Sequence, residues 1–280
     1  MMTRIPVNGI ELNVRRQGSG PVLLLLHGFT GSGATWQPFD WPGYETVAVD
    51  LPGHGDSDKP GSVERYHMER CTEDLVSLLN ELGIERAAVL GYSMGGRVAL
   101  HLALHAPERL WALVIESASP GIENEAERAD RRRSDGELAD SIMLDGVAPF
   151  VDRWQAIPLF ASQSRLPADA RERLRLQRLR NEPLGLANSL RGLGAGEQQP
   201  IYARLHEIAT PALLLAGADD AKYRAIAERT AGALPCARLQ IVPEAGHAVH
   251  LEQPQAFSVA VREFLNACLQ REEKERTPCR

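Results

Sequence analysis

Ser93 sits at the centre of Gly91-Tyr92-Ser93-Met94-Gly95, with Gly96 next in line. An apolar run, Ala87-Ala88-Val89-Leu90, leads in, and Arg97-Val98-Ala99-Leu100-His101-Leu102-Ala103 leads out with helical periodicity. The pattern predicts a strand, a sharp turn and a helix. Such a turn forces strained backbone angles on Ser93, and side chains two positions to either side would collide, which accounts for Gly91 and Gly95. The hydroxyl would stand clear of the sheet at the positive end of the helix. A serine so placed can serve as nucleophile or base; the competing reading is a plain glycine-rich turn.

A serine hydroxyl needs a base, and the base needs an orienting acid. His247 follows the last predicted strand, and Gly246 lets its loop bend toward the sheet edge. His250, the competitor, lies nearer the final helix and reads as a capping or packing residue. The acid should follow a strand end between Ser93 and His247. Leu213-Leu214-Leu215-Ala216-Gly217-Ala218-Asp219-Asp220 offers two carboxylates, and Glu116 ends another strand. Asp220 is favoured, because three residues past Gly217 it clears the strand end; Asp219 then becomes a solvated charge. In His27-Gly28-Phe29-Thr30-Gly31 the Phe29 N–H can face developing negative charge, with the Met94 N–H as second donor. His27 and His54 read as loop ties. Arg97 lies one helical turn beyond Ser93, close enough to rise beside it.

These side chains need a scaffold of alternating elements. Ile5 to Arg16 alternates around Asn8-Gly9, a hairpin signal. Segments 21–26, 44–49, 87–90, 110–116, 211–216 and 238–242 read as strands, the run at 21–26 suiting burial on both faces, and 71–82, 95–105, 223–233 and 255–269 read as helices. The alternation predicts a largely parallel sheet covered on both faces. It breaks between Pro120 and Glu207, where no buried strand is visible and several short helices are expected. A hydrophobic content of 44% over 280 residues permits a full core, and a net charge of -6 argues against nucleic acid as a partner. Cys71, Cys236, Cys268 and Cys279 are scattered, which suggests reduced thiols. The N-terminus has no signal-peptide pattern and no apolar run is long enough for membrane insertion. A cytoplasmic protein is expected.

Taken together, the motifs resemble the α/β-hydrolase fold: a mostly parallel central sheet with helices on both faces and a helical cap insertion. The resemblance rests on His27-Gly28-Phe29, Asp50-Leu51-Pro52-Gly53-His54-Gly55, Gly91 to Gly96, Gly217 to Asp220 and Gly246-His247, in that order. It implies a core of residues 1–119 and 208–270, a cap of 120–207 and a charged, flexible tail of 271–280. A narrower resemblance is to the menaquinone-pathway synthases of 2-succinyl-6-hydroxy-2,4-cyclohexadiene-1-carboxylate. It is carried by Gly91 to Arg97, Pro120-Gly121 to Asp135, Trp154 with Pro158-Leu159-Phe160, Arg180-Asn181, and Asp220-Ala221-Lys222-Tyr223.

That family implies a lyase on a hydrolase scaffold. It would eliminate pyruvate from 2-succinyl-5-enolpyruvyl-6-hydroxy-3-cyclohexene-1-carboxylate, a small-molecule polycarboxylate, by proton abstraction from the ring carbon next to the carboxylate. Ser93, Asp220 and His247 would be catalytic, with the Phe29 and Met94 amides holding charge on an enediolate-like carboxylate. Tyr92, Arg97, Arg131, Trp154 and Arg180 would bind substrate; fork-shaped guanidinium groups suit carboxylates. Read singly, Arg131 and Arg180 are surface charges, Tyr92 could donate or pack, and Trp154 could wall the pocket or fill the cap. No cofactor or metal is implied, and the expected state is a monomer or small homo-oligomer. The alternatives are a carboxylesterase, thioesterase or C–C bond hydrolase using the same three residues, and, more distantly, a ligand receptor.

Overall fold

In a computed structural model of the chain, residues 2–276 are described. The chain opens with β1 (Met2–Val7) and β2 (Ile10–Gly18), an antiparallel hairpin. Its two turn residues, Asn8 and Gly9, sit at φ 45° and 87°, the left-handed conformation a two-residue hairpin turn requires. The remaining strands are β3 (Val22–Leu26), β4 (Glu45–Val49), β5 (Ala87–Tyr92), β6 (Leu110–Glu116), β7 (Ala212–Gly217) and β8 (Ala237–Val242). Between and after them run α1 (Met68–Glu81), α2 (Met94–His105), α3 (Glu125–Asp145), α4 (Val147–Trp154), α5 (Ala168–Leu179), α6 (Pro183–Leu193), α7 (Ala221–Ala233), the short α8 (Val249–Glu252) and α9 (Pro254–Arg276).

The eight strands form one sheet in the order β1-β2-β4-β3-β5-β6-β7-β8. β2 runs antiparallel to β4, and every pairing from β4 to β8 is parallel. Parallel strands are joined by crossovers that cover both faces, so their sequences are apolar throughout. β3 shows this directly. Leu24 and Leu26 point into one core with α1, α2 and α7, while Leu23 and Leu25 point into the other with Trp36, Trp41 and Phe257, Val261 and Leu265 of α9.

Between β6 and β7 the described chain contains no strand: it runs through α3 to α6, with 3-10 segments at Pro158–Arg165 and Tyr202–Glu207. The first helix here is longer than expected, at 21 residues. The Asn124 side chain caps its N-terminus, Gly146 at φ 83° ends it, and the Gly136 within it breaks nothing. Ala139, Ile142, Phe150, Val151, Leu186, Ala187 and Leu190 give this insertion a small core of its own, and Phe29 packs against it from below. The insertion is seated by close backbone contact. A Cβ on Gly185 of α6 would lie 2.0 Å from the Gly53 carbonyl oxygen. Asn181 adds a polar tie, donating to the Thr30 carbonyl at 2.8 Å and accepting from the Gly55 N–H at 3.2 Å.

The expected tail from residue 271 is corrected in part. α9 continues to Arg276, because Gln270 to Arg276 are good helix formers and Arg86 holds Glu272 at 2.9 Å. Residues 277–280, including Cys279, lie outside the described residues. Cys71, Cys236 and Cys268 are free thiols. No helix among the described residues is long and apolar enough to cross a membrane.

Because Gly185 meets Gly53 with no space for a methyl group, Gly185→Ala should force α6 off the core. Overpacking of this kind costs about 1–3 kcal/mol. Calorimetry should show a lower unfolding midpoint, and limited proteolysis should cut faster within 120–207. An unchanged midpoint would mean that the contact has slack.

Candidate active site

Ser93 adopts φ 50° and ψ −106° at the junction of β5 and α2. Its N–H donates to the Glu116 carbonyl at 2.8 Å, and its own carbonyl accepts from the Arg97 N–H at 3.0 Å. The flanking glycines are demanded by backbone, rather than by a clash between two side chains. A Cβ on Gly91 would stand 2.3 Å from the Gly95 carbonyl oxygen, and one on Gly95 would stand 2.4 Å from that of Leu26.

Three residues widely separated in sequence meet here. Ser93 Oγ lies 3.1 Å from His247 Nε2, and His247 Nδ1 lies 2.9 Å from Asp220 Oδ2. Asp220 Oδ1 accepts from the Tyr223 N–H at 3.1 Å, which fixes the carboxylate at the start of α7. Asp219 points away to the surface, where it pairs with Arg165 at 2.7 Å. Glu116 is buried, and its carboxylate is taken by the N–H and Nδ1 of His250, each at 2.9–3.0 Å; neither group reaches Ser93. The His247 loop is held by a buried carboxylate that sequence reading missed. Glu252 accepts from the Gly246 N–H at 2.9 Å and the Ala248 N–H at 3.3 Å, the two amides flanking His247. The imidazole is walled by Tyr92, Tyr223 and Phe160, with ring centroids at 5.6, 4.4 and 6.1 Å.

The Phe29 and Met94 amides donate to no protein acceptor among the described residues. Met94 opens α2, so its N–H has no partner within the helix. Two unpaired amides beside a serine hydroxyl are suited to an oxyanion. The Phe29 ring is locked between His54, Phe150 and Trp154. Beneath it His27 bridges two loops, accepting from the Leu51 N–H at 3.0 Å and lying 2.8 Å from the Gly28 carbonyl. Burial drives the His27 pKa down to about 4. His54, buried against it and bonded to the Pro52 carbonyl, falls to about 3 through burial and then its His27 neighbour. Both rings are neutral struts.

A cavity of about 90 Å³ opens on this centre, lined among others by Ser93, Arg97, Arg131, Trp154, Tyr223 and His247. Arg97 enters it with no carboxylate at ion-pair distance among the described residues. Its guanidinium is held by neutral acceptors, Gln198 Oε1 at 3.1 Å and the Leu193 carbonyl at 2.7 Å. Burial lowers its pKa to about 10, so it stays charged at neutral pH. Arg131 is braced by Asp135 at 2.9 Å. Trp154 packs on Phe29, Phe150 and Phe160, and its buried indole N–H has no partner among the described residues. Tyr92 stands edge-on to His250 at 4.6 Å and contributes to the cavity wall.

Arg180 is not part of this centre. It lies on the surface, 3.5 Å from Asp56, and lines a separate cleft with Asp50 and Asn181. Arg178 occupies the inner position instead. It is buried, stacks over Phe160 at 5.2 Å, and makes no ion pair or side-chain hydrogen bond among the described residues. Burial lowers its pKa, with the Tyr92 phenol opposing. Two residues span about 200° of helix, so only one of the pair can face inward at the end of α5. Among the described residues, no cluster of three or more His, Cys, Asp or Glu side chains is arranged to hold a metal ion.

Sheet, elbow and contact chain define an α/β-hydrolase architecture, and residues 21–254 match the alpha/beta hydrolase fold family. A Bacillus subtilis (strain 168) chain with the provisional name 2-succinyl-6-hydroxy-2,4-cyclohexadiene-1-carboxylate synthase is 43% identical, over 93% of this chain and 96% of its own. A synthase of the same name from Serratia proteamaculans (strain 568) is 35% identical, over 91% and 98%. The solved structure of MenH from S. aureus superposes with a TM-score of 0.87 at 33% identity, covering 91% of this chain and 98% of that one. The chain belongs to the 2-succinyl-6-hydroxy-2,4-cyclohexadiene-1-carboxylate synthase family of α/β-hydrolase-fold proteins.

The depressed pKa values of His27 and His54 set a pH dependence for the oxyanion loop. In the unfolded chain both rings protonate near pH 6.5; in the folded chain they do so only near 4 and 3. Below about pH 6.5 the unfolded state therefore binds more protons, and stability falls as pH drops toward about 3. Urea unfolding between pH 7.5 and 4.5 should show this slope, and His54→Gln should flatten it. An equal slope in the variant would assign the loss to other groups.

Proposed function

We propose that this chain is a pyruvate-eliminating lyase acting on 2-succinyl-5-enolpyruvyl-6-hydroxy-3-cyclohexene-1-carboxylate. The observation that carries the reading is a Ser93–His247–Asp220 contact chain facing Arg97, whose guanidinium has no carboxylate at ion-pair distance among the described residues. An ester pocket is mostly apolar; Arg97 and Arg131 lining so small a space, with buried Arg178 stacked on Phe160 of its wall, suit a guest that brings its own negative charge. Residues 120–207 act as the cap over that guest.

The bond changes follow from the two names. The substrate has one ring double bond, at C3–C4; the product has two, at C2–C3 and C4–C5. The proton lost is therefore the one on C2, the carbon bearing the succinyl group. This replaces the expectation that charge collects on the ring carboxylate: it collects on the succinyl carbonyl oxygen. Ser93 Oγ, its proton shared with His247 Nε2, takes the C2 proton and relays it to the imidazole. Asp220 holds the Nδ1 tautomer and stabilises the imidazolium. The Phe29 and Met94 amides hold the enolate oxygen, where such donors are worth about 3 kcal/mol each. As the enolate collapses, C2=C3 forms, the old double bond moves to C4=C5, and the C5–O bond breaks. The enolpyruvate released takes a proton and becomes pyruvate. The same contact chain would also serve ester hydrolysis, the runner-up, which lacks the need for a cationic wall. We place the enzyme in the cytoplasm, as a monomer or small homo-oligomer.

Supplied with the enolpyruvyl substrate, the purified protein should release pyruvate, read by coupling to lactate dehydrogenase. Ser93→Ala should lower kcat by about a thousandfold or more. Wild-type protein that releases none above background refutes the lyase assignment. Arg178→Ala should raise KM by about tenfold or more, while Arg180→Ala should stay close to wild type. The reverse order would restore Arg180 to the site.

A further inference from the structure

Tyr223 touches the acid, the base and the cavity at once. Its backbone N–H holds Asp220 Oδ1 at 3.1 Å, and its ring stands edge-on to His247 with centroids 4.4 Å apart. Its half-buried side chain lines the cavity together with Ser93, Arg97 and Arg131. The first two contacts require only a backbone and an aromatic ring, which phenylalanine would supply equally well. The hydroxyl is surplus to them. Among the described residues it makes no hydrogen bond in either direction.

A phenol that faces the cavity with no protein partner among the described residues is free to donate to a guest held there. Burial raises the pKa of this phenol, and the opposing pull comes from Arg131 and then Arg97. It is thus a protonated donor at neutral pH, lying within the field of both guanidinium groups. Tyr92 differs: its ring stands against His250, and the rise that burial gives its pKa is opposed by Arg178.

We propose that the Tyr223 hydroxyl is a substrate-binding donor, completing with Arg97 and Arg131 a seat for one carboxylate of the guest beside His247. This rests on the polycarboxylate reading above. The arrangement joins binding to chemistry within one residue. The side chain grips the anion, while its backbone and ring hold the acid and the base.

Tyr223→Phe is the test, since it keeps ring and backbone and removes only the donor. In the pyruvate-release assay KM should rise about tenfold, with kcat within about twofold of wild type. Calorimetric titration with tricarballylate, a simple tricarboxylate, should show a similar loss in affinity. Unchanged KM and unchanged affinity would overturn the proposal. So would a fall in kcat at constant KM, because the hydroxyl would then be holding Asp220 or His247 instead of the guest. Wild-type protein that binds tricarballylate more tightly than the variant but releases no pyruvate would sustain the donor and remove the lyase. Wild-type protein that does neither would remove both.

Discussion

Ser93 is held at φ 50° and ψ −106°, a conformation that an L-residue adopts at a cost of about 1–3 kcal/mol. The surroundings leave it no alternative. Its N–H is tied to Glu116 at the end of β6, and its carbonyl is tied into α2. Gly91 and Gly95 let β5, α2 and the end of β3 approach closer than any side chain permits. Most of the site follows from that one turn. It lifts Oγ to within 3.1 Å of His247 Nε2, leaves the Met94 N–H unpaired, and places Arg97 one helical turn on. A relaxed Ser93 would lose all three together.

The second constraint is electrostatic. A guanidinium removed from water is costly unless it finds acceptors or an anion. Among the described residues Arg97 finds only neutral acceptors, and Gln198, which supplies one of them, is itself buried and placed near His101 and the Ser119 carbonyl. The positive charge is thus oriented but not neutralised. A net charge of -6 for the whole chain gives no hint of this, because a sum over the chain does not say which charges meet. A cavity of about 90 Å³ is also small beside the roughly 300–1,000 Å³ usual for small-molecule sites. A second cleft of about 420 Å³ shares Leu159 and His247 with it and reaches Asp220. The insertion is seated on the core by Asn181 with Thr30 and Gly55, and by Gly185 with Gly53.

Legibility in the sequence tracked how local each signal was. The elbow was visible because Gly-x-Ser-x-Gly between an apolar run and a helix has one steric solution. Asp220 and His247 could be located because strand ends in a parallel sheet fall along one edge, and the distance from Gly217 separated Asp220 from Asp219. The arginines were harder. Arg178 and Arg180 differ by two residues at the end of α5, and only the docking of that helix decides which faces inward. Tyr223 and Glu252 were passed over for a related reason. One hydroxyl left without a partner and one carboxylate on two loop amides are properties of packing, with no spacing rule to betray them. The end of α9 was misjudged because charged residues that look like a tail are also good helix formers.

The contact chain by itself does not choose between attack on a carbonyl and removal of a proton. Both need a serine oxygen made basic by an imidazole, and both gain from amides facing the oxygen where charge develops. What differs is the substrate atom that lies against Oγ, and this is set by the walls. In an apolar pocket the only polar anchor is the oxyanion site, so a carbonyl settles there and its carbon meets the serine. Where guanidinium groups stand around the same serine, a rigid ring bearing several carboxylates is held by its periphery, and a ring C–H can be presented to the oxygen. Orientation of this kind discriminates steeply, since about 1 Å of displacement can cost a hundredfold in rate. On the proposed function, Arg97 and Arg131, which line the cavity with Ser93, would set which bond the shared catalytic centre breaks.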